Sequence, residues 1–161
     1  MKKLIAAAIA ALAIATPAQA ASHEDSYRLA DLIKATGTTI VAEKCRTPEA
    51  GNYHFNKEKK IDRLTICINY VDSTDADALW EVMAHEGTHV MQACHGGNVV
   101  KDEYLPRIHR DLKTQAPHYS KLVAGYPSQH QLMEAEAFWM ELQEPEFVTE
   151  LFKAACQKQI R

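Results

Sequence analysis

The sequence predicts an α+β fold, a small antiparallel sheet of about three strands followed by a mostly helical domain around one central helix. Three observations predict it. Short β-branched or alternating runs cluster between residues 38 and 71. From Ser73 onward the apolar residues recur at helical spacing. Cap and stop residues stand where one period gives way to the next.

Residues 1–20 read as a targeting segment. Lys2 and Lys3 form a positive start, Leu4 to Ala15 an apolar stretch, and Ala18-Gln19-Ala20 an A-x-A cleavage site. The apolar stretch is about a dozen residues, short of the ~18–20 that span a bilayer. The expected mature chain starts near Ala21 and is secreted or periplasmic, with no membrane attachment after cleavage. Residues 21–161 suit one domain with one core, expected to be a monomer. Without Lys2 and Lys3, the 18 basic residues become 16 against 21 acidic ones, a net charge near −5. No basic stripe is present, which excludes nucleic acid as an expected partner.

Ser22 with Asp25 three residues on reads as a helix start, and Gly37 as its stop. Thr38–Val41, Asn52–Phe55 and Leu64–Val71 read as strands. In the last, Leu64, Ile66, Ile68 and Tyr70 alternate with Thr65, Cys67 and Asn69. Thr74-Asp75-Ala76-Asp77 caps a helix running to about Cys94, which Gly96-Gly97 ends. Helices are expected over Asp102–Leu112 and Pro117–Val123. Ser128 with Gln131 forms a capping box for a helix to about Leu142, and Pro145 opens the last one. Four cysteines in an exported chain imply two disulfides with three possible pairings. The expected pairs are Cys45–Cys67, across one side of the sheet, and Cys94–Cys156, from the central helix to the last.

The central helix carries His85-Glu86-Gly87-Thr88-His89, an HExxH motif. Histidines at i and i+4 differ by about 40° around a helix and about 6 Å along it, so both imidazoles reach one ion. Glu86 then lies at the flank of that ion, where it can bind a metal-held water instead of the metal. The expected cofactor is Zn2+, with His85 and His89 as ligands and Glu86 as general base. A catalytic zinc takes a third protein ligand. His95 would complete HExxHxxGxxH, but Gln92 stands at the glycine position and lets the helix run on. The alternative is a carboxylate from the helix after Ser128, Glu134, with Glu136 as the fallback. The two lie about 200° apart around that helix, so only one can serve.

Here the chain resembles the gluzincin branch of the zincin metallopeptidases. Glu134-Ala135-Glu136-Ala137 matches the E-x-x-A in which members often carry the third ligand. It departs at Phe138, where many members have Asp. The resemblance covers two short motifs about 45 residues apart. It implies a minimal zinc metallopeptidase acting on a peptide or protein substrate. It also implies that Leu64–Val71 is an edge strand able to pair with that substrate. For the oxyanion, His109, His118, Tyr119, Tyr126 and His130 are candidates, with Tyr126 and His130 favoured. The alternative reading is a non-catalytic zinc-binding or structural extracytoplasmic domain that holds a partner.

Overall fold

The computed structural model describes residues 20–160. The targeting segment, save Ala20, lies outside them. Among the described residues no helix is long and apolar enough to cross a membrane.

Helix α1 (His23–Ala35) opens on the expected capping box. The Ser22 side chain accepts from the Asp25 amide, and Asp25 accepts from the Ser22 amide. Leu29 and Ile33, one turn apart, are fully buried. Gly37 follows at φ 99°, a left-handed conformation suited to glycine.

Strands β1 (Thr39–Glu43), β2 (Gly51–Asn56) and β3 (Ile61–Cys67) form one sheet in the order β1-β3-β2. The α+β class and the strand number match expectation; the pairing differs in part. β2 and β3 form an antiparallel hairpin, but β1 runs parallel to β3. The loop after β1 crosses the end of β3 to start β2, and Cys45–Cys67 ties that crossing down. β3 is thus the central strand, and Leu64, Thr65, Ile66 and Cys67 are all buried. It offers no free edge to a substrate, contrary to the expectation for Leu64–Val71.

β3 also stops at Cys67, short of Val71. The Tyr70 and Val71 amides both turn back to the Cys67 carbonyl. The Asn69 side chain replaces the ladder, accepting from the Cys45 amide and donating to the Cys45 carbonyl. Ile68 and Tyr70, read as continuing the buried alternation, are therefore exposed.

Helix α2 (Ala76–His95) is the axis of the molecule and packs against α1, β2 and the later helices. The Asp75 side chain caps its start, accepting from the Asp77 and Ala78 amides, and Gly96 ends it at φ 87°. Gly87 lets α1 approach closely, since a Cβ there would lie 3.3 Å from Ile33 and 3.4 Å from Leu29. A short 3-10 turn (Asp102–Tyr104) leads into α3 (Leu105–Gln115), followed by α4 (Pro117–Gly125), α5 (Gln131–Glu141) and α6 (Pro145–Ala155). α5 begins three residues later than the expected capping box, with no side-chain cap. Gln131 instead donates to the Tyr126 carbonyl, so Ser128 belongs to the turn. On α6, Val148 and Phe152 are buried while Phe147 is exposed. The Cys94–Cys156 disulfide joins the end of α2 to the end of α6, as expected.

Candidate metal centre

His85 and His89 lie on the face of α2 that meets α5, and Glu134 sits in the first turn of α5. One ligating atom from each falls within 4.8 Å of the others. His85 Nε2 is 3.5 Å from Glu134 Oε2, and His89 Nε2 is 3.8 Å from Glu134 Oε1. Three ligands at about 2.1 Å from a tetrahedral ion stand about 3.4 Å apart. The side chains are therefore almost at coordinating distance from a common centre.

The opposite ring nitrogens fix both tautomers. His85 Nδ1 is 2.7 Å from Glu141 Oε1, a carboxylate that can only accept. His89 Nδ1 is 2.8 Å from Gln92 Oε1. The Gln92 amide nitrogen is committed to the Met133 carbonyl and Glu136 Oε2, so its oxygen faces His89 and Nδ1 must donate. Both histidines thus turn Nε2 toward Glu134, the arrangement a metal-binding imidazole needs.

Charge and satisfaction point to a cation at this place. Glu134 Oε2 is buried without a hydrogen bond, its nearest partner being His85 Nε2 at 3.5 Å, and burying a carboxylate oxygen without a hydrogen bond is unfavourable. Burial alone would lower the His85 pKa, yet the Glu134 and Glu141 carboxylates beside the ring outweigh it and push it up to about 10. Burial, with the charge of His85, lowers His89. Two imidazole nitrogens and a carboxylate with one oxygen lacking a hydrogen bond fit a divalent ion.

Glu86 is 5% exposed and forms no hydrogen bond of its own among the described residues. Burial, reinforced by Glu134, Glu49 and Glu141 and opposed by His85, pushes its carboxyl up to about 7. It opens into a cleft of about 440 Å³ whose lining includes the Pro48–Gly51 segment and Tyr119, Leu122 and Tyr126. Gly51, at the start of edge strand β2, is pressed against this site. A Cβ there would meet Val82 at 2.7 Å, the Thr65 carbonyl at 2.8 Å and Glu86 at 3.0 Å.

The other candidates separate cleanly. Glu136 is fully buried and saturated. It accepts from the Val99 and Val100 amides and from Gln92, anchoring the turn after α2 instead of facing the metal centre. His95 is exposed at the last residue of α2 and takes no part. Tyr126 lines the cleft; burial and the neighbouring Glu134 carboxylate push its phenol up to about 12. His130 and His109 are exposed and line no part of it. Tyr119 lies beside Glu141, and burial with that charge raises its phenol pKa; it stacks on Phe138 at 4.7 Å, and His118 lies against Tyr119 at 4.1 Å.

Two roles were not foreseen. Phe138 removes the carboxylate expected at its position and instead packs edge-on against His85 at 4.6 Å. Glu141 supplies the missing carboxylate from one turn later. The signal was available in the spacing, since Glu134, Phe138 and Glu141 stand at i, i+4 and i+7 on one helix face. Gln92 was read only as a broken glycine position; it orients His89.

No family model matches the chain, and neither a curated protein nor a solved structure does.

Proposed function

We propose that the chain is an exported zinc metallopeptidase. The observation that carries this reading is the convergence of His85, His89 and Glu134 beside a buried, unpaired Glu86 at the floor of an open cleft. Two imidazoles and one carboxylate are a common donor set for catalytic zinc, and zinc with histidine and carboxylate ligands needs no reducing compartment. The two disulfides point to an oxidising one, in keeping with export through residues 1–20. A bound zinc ion would supply Lewis acidity and would acidify a water molecule at neutral pH.

The chain's own residues supply the remainder. Glu86 accepts the proton of the attacking water and returns it to the leaving amine. Glu141 and Gln92 hold the two imidazoles in register. Tyr126, beside Glu134 and lining the cleft, donates its hydroxyl to the developing oxyanion. The extended substrate lies along the Pro48–Gly51 wall, next to edge strand β2.

The decisive variant is Glu86→Gln. It is expected to keep one zinc per chain and to lose cleavage of a mixed peptide library by about 10²–10⁴-fold. Undiminished cleavage would remove Glu86 as the base and the peptidase mechanism with it. Zinc held with no cleavage by the wild type would favour a zinc-binding module that only holds a partner.

A further inference from the structure

We propose that the cleft selects peptides with a lysine or arginine within one or two residues of the scissile bond, and that Glu81 is the residue that determines this preference. The proposal rests on the peptidase reading and names its substrate class.

Glu81 lines the cleft one helical turn before His85, on the same face of α2. That places its backbone about 6 Å along the axis from the first ligand, the span of about two residues of extended peptide. Glu49, also exposed, lines the same cleft, its Oε1 fixed by the Thr47 hydroxyl and the Asn52 amide. Among the described residues, no lysine or arginine lines the cleft. Among the described residues, none forms an ion pair with Glu81 or Glu49. Glu81 is exposed on the cleft side of α2 near Glu141, Asp77 and Asp75, and desolvation together with these like charges raises its pKa, with His118 alone opposing. A divalent ion in the metal centre would not cancel this field. Glu134 and Glu86 already face that ion and Glu141 is committed to His85, which leaves Glu49 and Glu81 uncompensated.

A small inorganic cation does not account for the rest of the cleft. Tyr70, Leu122 and Tyr126 present exposed apolar and aromatic surface along its walls. A long cationic side chain matches both features at once. Its methylene stem packs on the apolar wall, its head reaches a carboxylate, and arginine gains further from an aromatic face. The unpartnered, nine-tenths buried Glu86 opens into this same space, which marks it as a place built for a guest.

The test uses the zinc-loaded chain and fluorogenic peptides identical except for Lys, Ala or Glu at the two positions on either side of the scissile bond. Lys peptides are expected to exceed Ala peptides in kcat/KM by about tenfold or more at low salt, with Glu peptides poorest. Glu81→Gln should flatten this series, and Glu81→Lys should invert it. A second measurement, fluorescence anisotropy of the same peptides on zinc-loaded Glu86→Gln, reads binding without chemistry. It should show the same order, weakening as salt rises. Equal cleavage of Lys and Ala peptides overturns the specificity and leaves the peptidase intact. If the wild type cleaves nothing, the peptidase reading fails. Anisotropy then decides the charge preference alone, which equal binding of Lys and Glu peptides overturns.

Discussion

The two helices that carry the candidate metal ligands are held in different ways. α2 is defined by its own sequence. It has an aspartate cap at one end, a left-handed glycine at the other, and a disulfide at its last turn. α5 has no side-chain cap, and its position comes from partners elsewhere. Glu136 reaches the turn after α2, the Trp139 indole donates to Asp111 on α3, and Gln92 on α2 holds the Met133 carbonyl. The contrast is sharpest between two glutamates on α5. Glu136 has every oxygen satisfied, whereas Glu134 keeps a buried oxygen with none. On one helix, the saturated carboxylate is structural and the unsatisfied one belongs to the candidate metal group.

Breaking that contrast gives the largest expected effect on stability. Glu136→Ala should destabilise the metal-free protein by about 3–5 kcal/mol, because it strips a buried set of charged hydrogen bonds. Glu134→Gln should shift the metal-free melting temperature far less while abolishing tight zinc binding. Thermal unfolding with EDTA and zinc titration check the pair; equal losses of stability would erase the distinction.

Removing the disulfide that joins α2 to α6, as Cys94→Ser with Cys156→Ser, should cost about 2–5 kcal/mol. The same change at Cys45 and Cys67 should cost about 1 kcal/mol less in the chain-entropy picture, since the closed segments span 62 and 22 residues. Denaturant unfolding of the two double variants measures the difference.

Glu141→Gln keeps α5 in place but weakens the grip on His85. Zinc affinity should fall about 10–100-fold with little change in metal-free stability, read by competition with a chromophoric chelator. Smallest is Ser22→Ala, expected to cost about 1 kcal/mol through loss of the α1 cap. The Ser22 hydrogen bonds hold the Asp25 carboxyl below its ordinary value. Their contribution is therefore present at neutral pH and fades as the pH falls below about 4. Wild type and variant should converge in stability in that acid range.

What could be read in the sequence follows the same division. The HExxH helix, the Ser22 box, the Gly96 stop and both disulfides are legible because each is encoded locally or by compartment and count. Glu134 was legible through its motif, but Glu136 could be set aside only once its amide partners were in view. The parallel pairing of β1 was hidden because strand order depends on contacts distant in sequence. The early end of β3 was hidden because the Asn69 side chain imitates a strand. Glu141 escaped notice, and Gln92 its orienting role, because an orienting residue has no motif; it is defined by the atom it faces.

The most direct measurement is a crystal structure of the zinc-soaked chain with anomalous data at the zinc edge. The account predicts a single peak about 2.0–2.2 Å from His85 Nε2, His89 Nε2 and a Glu134 oxygen, with Glu86 beside it and not bound to it. A peak held by Glu136 or His95, or no peak between α2 and α5, would contradict it.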